Sequence, residues 1–201
     1  MKIAITGGIG SGKSTVLKIL SLLGEKTISF DEVYKSLLAD ENFLKGVYFA
    51  AGTEPQYKND KIIFNAKKIS EAVFSCPEKL NALNSFTHAK IFEKAFSEGR
   101  SFECSGGRVF YEVPLLFEGN YQNRFDKVWV VMRDKNARII SAATRDELSE
   151  SEIEKRINNQ FDYESSDLSL HTLILNDGDE ESLKNKVERA IYELETCKTK
   201  R

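Results

Sequence analysis

The sequence is short of excess charge, of pairable cysteines and of long apolar runs, and each shortage removes a class of function. Across 201 residues, 29 lysines and arginines face 31 aspartates and glutamates, a formal net charge of −2. Non-specific nucleic-acid binding needs a clear basic excess, and attraction to an anionic membrane surface does too, so neither partner is expected. Basic groups that meet phosphate must therefore be placed locally. The three cysteines, Cys76, Cys104 and Cys197, are odd in number and widely spaced. No Cys-x-x-Cys pattern or nearby pair of histidines suggests zinc, so free thiols in a reducing cytoplasm are the expected state. No apolar run reaches membrane-spanning length, and the chain enters a short apolar segment at once, so no secretory signal is expected. Internal repeats and low-complexity segments are also missing. What remains, 41% hydrophobic and 30% charged residues, is an ordinary globular composition, and the length fits one domain with insertions.

What is present is concentrated near the start. Residues 7–14 read Gly-Gly-Ile-Gly-Ser-Gly-Lys-Ser, which fills every fixed position of G-x-x-x-x-G-K-[ST]. The run follows apolar Ile3-Ala4-Ile5 and opens a helix-patterned stretch from Thr15. Glycines allow successive N–H groups to point into one concavity, and the helix behind them adds its positive end. The pattern implies a nucleoside triphosphate site at Gly8, Gly10, Ser11, Gly12, Lys13, Ser14 and Thr15, with Lys13 reaching the outer phosphates and Ser14 offering a hydroxyl to Mg²⁺. The plain alternative, a glycine-rich turn with a chance lysine, does not account for the strand before it and the helix after it.

Further along, short apolar runs alternate with amphipathic stretches, which predicts an α/β fold around a parallel sheet. Five strands are expected at 2–6, 26–29, 108–113, 127–132 and 172–175, each mostly apolar as strands covered on both faces should be. The first helix runs to about Leu23, stopped by Gly24. Asp31 suits an N-cap for a helix over 32–39. Residues 40–100 break the alternation: Gly52 to Pro55 marks a loop between helical stretches, and 65–74 and 77–97 read as helices, the latter opened by a proline. An inserted helical subdomain follows from this. Ser149-Glu150-Ser151-Glu152 is a capping box opening a helical segment to 162, read as a mobile lid because Arg145, Lys155 and Arg156 flank it. A closing helix is expected over 179–194, with a frayed tail over 198–201.

A phosphate loop admits kinases, switch GTPases and motor ATPases. The guanine-reading Asn-Lys-x-Asp segment is absent, and the third strand ends in a single carboxylate, Glu112, rather than an Asp-Glu pair. Small size, a helical insertion and a basic lid favour a kinase of a metabolite, since the lid must keep water from the transferred group. The residues then resemble a known family. The loop at 7–15, Asp31, Leu83 with His88, Val113-Pro114-Leu115-Leu116-Phe117-Glu118, Arg145-Asp146, Arg156-Ile157 with Gln160, and Asn176 with Gly178 occur in the order and setting of the dephospho-CoA kinases.

The resemblance implies a P-loop kinase-type parallel five-stranded sheet flanked by helices: one domain over 1–201, with core 1–39, 101–140 and 167–201, a helical acceptor subdomain at 40–100 and a lid at 141–166. It implies ATP and Mg²⁺ as cofactors, dephospho-CoA as the small-molecule partner and coenzyme A plus ADP as products, in a monomer or weak homo-oligomer. Asp31, Lys13 and Arg145 would be catalytic, Asn176 and Gly178 would hold adenine, Asp31, His88 and Glu118 would meet the acceptor, and Ser14 and Glu112 would hold the metal. Each has a plainer reading beside it. Asp31 also fits an N-cap, Glu112 a charge at the sheet rim, His88 a structural histidine and Arg145 a surface ion pair with Asp146. His171 reads as structural without a visible partner, and Phe43, Tyr48 and Phe49 read as core. The match departs from the family in places. Ser29-Phe30-Asp31 stands where Asp-Ala-Asp is usual, Ala89 replaces a proline, and Ser141 replaces a first lid arginine. Ser165-Ser166 and Leu170-His171 depart as well. Lys155, Arg156 and Arg138 are candidates to make up the lost lid charge. A nucleoside or nucleotide monophosphate kinase and a nucleotide-binding regulatory module without turnover are the competing readings.

Overall fold

A computed structural model describes residues 1–74 and 76–198; the tail expectation beyond 198 lies outside the described residues. The chain divides into two compact units, Met1–Thr27 with Ser101–Arg201, and Ile28–Arg100. Residues 28–39, expected with the core, thus pack with the insertion.

The strands β1 (Lys2–Thr6), β2 (Lys26–Ser29), β5 (Val109–Glu112), β6 (Lys127–Met132) and β7 (Thr172–Leu175) form a five-stranded sheet in the order β2-β5-β1-β6-β7, all within the first unit except the second half of β2. β1 runs parallel to β5, with Ile3 opposite Phe110, and to β6, with Ile5 opposite Trp129. One face packs Ile3, Ile5, Phe110 and Trp129 against α1 (Lys13–Leu22) and α8 (Glu180–Lys198). The helices present Val16, Ile19 and Leu20, and Leu183, Val187 and Ala190, at the three- and four-residue spacing of an apolar stripe. The inner strands are nearly continuous apolar runs because both their faces are buried. β7 departs from that expectation: it is one of the two edge strands, and Leu173 and Leu175 are about half exposed.

Helices α6 (Lys135–Asp146) and α7 (Glu150–Asn158) pack on each other through Ile139, Ala142 and Ile153. The predicted capping box is formed: Glu152 N–H donates to the Ser149 hydroxyl, and the Glu152 carboxylate accepts from Ser149 N–H. Helix α6 is continuous, so the expected lid boundary at 141 falls within it.

The second unit contains α2 (Phe30–Leu37), α3 (Glu41–Ala50), α4 (Ala66–Val73) and most of α5 (Pro77–Cys104). Aromatic contacts hold it: Phe30 meets Phe92 edge-on at 4.9 Å, and Phe43 stacks on Phe86 at 5.7 Å. Three expectations are corrected here. The insertion is not wholly helical, because β3 (Gln56–Lys58) and β4 (Lys61–Ile63) form an antiparallel hairpin. Its turn, Asn59-Asp60, has φ of 50° and 60°, the two positive values a tight type I′ connection requires, and three-residue strands are too short to show alternation. Helix α5 runs on past Ser97, since a buried Gly99 within it costs only about 1 kcal/mol against alanine. Phe49 is 88% exposed while Phe43 and Tyr48 are buried, because it lies one residue off the stripe formed with Leu44 and Val47. Cys76 and Cys104 are free thiols. Among the described residues no helix is long and apolar enough to cross a membrane.

Candidate active site

The chain leaves β1 at Thr6 and turns through Gly7–Gly12 into α1. Gly10 and Gly12 have φ of 73° and 100°, the left-handed region that favours glycine. Gly12 is the N-cap of α1, no side chain caps the helix, and no acidic residue stands in its first turn. Most helix starts recruit a Ser, Asp or Glu side chain; this one keeps its positive end for something else. The Ser11 hydroxyl is buried and has no hydrogen-bond partner among the described residues. Lys13 folds over the loop, its ammonium donating to the carbonyls of Gly7 at 2.8 Å and Gly8 at 3.0 Å. Ser14 is exposed and Thr15 partly so.

Side chains distant in sequence hold the loop. Asn176, just past β7, donates from Nδ2 to the Ser11 carbonyl at 2.9 Å. Ile9 N–H donates to Gln160 Oε1 at 2.8 Å, and Arg138 Nε donates to the Ile9 carbonyl at 3.0 Å. The Thr6 and Tyr163 hydroxyls bond at 3.1 Å in a buried position. Burial pushes the Tyr163 phenol up to about 12, so it stays protonated at neutral pH. Glu118, expected to meet the acceptor, accepts from Phe161 N–H at 2.9 Å. Phe117 stacks on Phe161 at 4.6 Å and meets the His171 ring at 5.4 Å, so His171 does have a partner. Burial holds His171 below its ordinary pKa, with the Asp167 carboxylate opposing the shift.

Arg145, near the end of α6, donates from Nε and Nη2 to its neighbour Asp146 at 2.7 and 3.0 Å. Arg156 lies 3.9 Å from the same carboxylate. The hydrogen bond from Arg145, then its charge and that of Arg156, hold Asp146 below the usual carboxylate range. Two exposed arginines thus share one partly buried acid at the surface, an ion pair of small net strength.

Asp31 is not the N-cap of α2. β2 runs straight into the helix, Ser29 takes the cap position, and Asp31 sits exposed in the first turn, where a carboxylate complements the dipole. His88, on α5, is partly buried, which lowers its pKa. Glu112 is the last residue of β5, and Gly178 lies in the turn before α8. The structure therefore gathers the loop residues and Asn176 within the first unit, and places Asp31 and His88 in the second. Sequence reasoning missed how the loop is held. Tyr163 went unnoticed. Arg138 was weighed only as a lid charge, although its position four residues before buried Ala142 marked it as inward-facing.

The family model for dephospho-CoA kinase matches residues 1–182. The dephospho-CoA kinase of Chlorobaculum tepidum is 33% identical over 199 residues, covering 96% of this chain and 95% of that protein. That of Fusobacterium nucleatum is 33% identical over 191 residues, covering 94% and 96%. Among solved structures, the dephospho-CoA kinase of Campylobacter jejuni matches with a TM-score of 0.68 at 28% identity, over 96% of this chain and 98% of that one. The TT1252 protein of Thermus thermophilus matches with 0.78 at 27%, over 96% and 97%.

Proposed function

The chain belongs to the dephospho-CoA kinase family and is an ATP-dependent kinase of dephospho-CoA in coenzyme A biosynthesis; on that premise we propose that Lys13, Asp31 and Arg145 carry transfer of the γ-phosphoryl group to the ribose 3′-hydroxyl. The observation that supports this most is the start of α1: a helix end with no cap and no acid, behind a loop held open by bonds from Asn176, Gln160 and Arg138. Such an end receives phosphate oxygens.

Phosphoryl transfer asks for alignment and charge neutralisation more than covalent help. Lys13 spreads charge on the β- and γ-phosphates. Asp31 orients the attacking hydroxyl and takes its proton as the new O–P bond forms and ADP leaves. Arg145 exchanges Asp146 for the oxygens of the transferred group, which a guanidinium matches in pairs. Asn176 and Gly178 flank the adenine side, while His88 and Glu118 serve the acceptor, with the acceptor subdomain formed by the second unit and the lid by the end of α6 with α7. The residues also fit a magnesium ion: Ser14 and Glu112 offer oxygen donors, and that ion is usually held by one or two protein groups together with phosphates rather than by a protein cage. Among the described residues no cluster of three or more acidic, His or Cys ligands stands elsewhere as an alternative. When bound, Mg²⁺ neutralises charge on the β- and γ-oxygens. The free thiols suit a cytoplasmic enzyme, which we take to act as a monomer or weak homo-oligomer.

The test is ADP release with Mg-ATP, comparing dephospho-CoA with AMP, CMP and UMP and identifying the product by mass. Coenzyme A from dephospho-CoA alone is the expected result. Turnover only with a monophosphate, or ATP binding without turnover, would overturn it.

A further inference from the structure

Ile9 is gripped on both of its flanking peptide groups. Its N–H donates to Gln160 and its carbonyl accepts from Arg138 Nε, at 2.8 and 3.0 Å. Arg138 is 4% exposed, and its guanidinium lies flush on Gly8, where a Cβ would overlap it. The same residue's backbone carbonyl fills the space a Cβ would take at Gly10. Loop and helix α6 therefore meet without a gap at two glycines. Glu164, 3.5 Å from the guanidinium, is the nearby carboxylate, and its side chain is 54% exposed.

We infer that Arg138 is a positioning residue for ATP: by holding the Ile9 carbonyl outward it keeps the following amides of the loop directed at the phosphates. It acts through the loop backbone, unlike Arg145, which is placed to touch the transferred group. A peptide unit is planar, so fixing its carbonyl fixes the direction of the next N–H, that of Gly10. A buried guanidinium is costly unless bonded, which makes the Ile9 carbonyl its essential partner. The inference rests on the ATP-binding reading above and extends it to a residue that reading does not require.

Two substitutions separate the hydrogen bond from the charge. In Arg138→Gln, the amide nitrogen stands the same number of bonds from Cβ as arginine Nε, so the donor to Ile9 is kept and the charge is lost. Arg138→Met keeps the bulk and loses both. The exposed Glu164 loses little by either change. The dissociation constant for ATP, measured directly by calorimetry with Mg-ATP, should weaken about tenfold in the Met variant and stay within about twofold in the Gln variant. KM for dephospho-CoA should hold steady in both. Equal ATP affinities in the two variants, whether both normal or both weakened, would overturn the inference, the second case assigning the effect to charge. Should Arg138→Met fail to fold, the Gln variant decides alone: an ATP affinity weakened well beyond twofold there, with the donor to Ile9 kept, would overturn the inference. A wild-type chain that binds ATP but makes no coenzyme A would sink the functional reading and leave these binding constants readable.

Discussion

Around the phosphate loop, side chains bond to backbone atoms one at a time: Asn176 to Ser11, Gln160 and Arg138 to Ile9, Lys13 to Gly7 and Gly8. In the second unit the prominent contacts are between rings, Phe30 on Phe92, Phe43 on Phe86 and Tyr34 edge-on to Phe43 at 6.1 Å. The first kind of bonding sets the direction of single peptide groups, which a charged ligand needs. The second fills volume and tolerates substitution of one apolar residue for another. Nucleotide binding in this chain is thus written in specific atoms, and the insertion in bulk.

The comparison is broken most severely by Lys13→Ala. In the proposed role Lys13 serves ground state and transition state alike, so ATP affinity should fall and kcat/KM should drop by about 10³-fold or more in a steady-state assay. Asp31→Asn tests whether one residue of the second unit is as specific as the loop. Turnover should fall by a factor on the order of 10² to 10⁴ with ATP binding little changed, and an unchanged rate would leave Asp31 a first-turn carboxylate only. Phe92→Ala should destabilise the second unit by about 3–5 kcal/mol, read as faster amide exchange over residues 28–100. ATP affinity should survive it; an equal loss there would erase the contrast.

Tyr163→Phe sharpens the contrast at high pH. The phenol titrates at about 12 in the folded chain against 10.0 in the free group. A raised pKa means the folded state favours the protonated form, so that stability is complete below pH 10 and drains away as pH rises toward 12. The loss is roughly 2–3 kcal/mol at most. Urea midpoints at pH 9 and 11 should differ more for the wild type than for the phenylalanine variant.

The phosphate loop was legible because its backbone demands glycine at fixed places, and α7 because Ser149 and Glu152 carry its start. Tertiary contacts left no such mark. Nothing local says that Arg138 will bond Ile9, since the partners are far apart in sequence and the bond is to a backbone oxygen. The β3–β4 hairpin escaped because its turn is Asn-Asp rather than Asn-Gly and its strands are too short to alternate. Asp31 stands at a helix start but two positions inside it rather than at its cap, because β2 passes into α2 with its last residue, Ser29, as the cap. The departures at Ser141 and Ser165-Ser166 have no structural account.

Trp129 is the chain's one tryptophan, fully buried in β6 with its ring 5.1 Å from that of Phe110. Indole emission is therefore a private reporter of the nucleotide-binding half. When that half opens, water reaches the indole and the emission shifts red; loosening of the insertion leaves it dark to the measurement. Far-ultraviolet circular dichroism sees the helices of both. A chain whose dichroism fades while its tryptophan stays blue has lost its second unit first, and a spectrometer can tell so without any label.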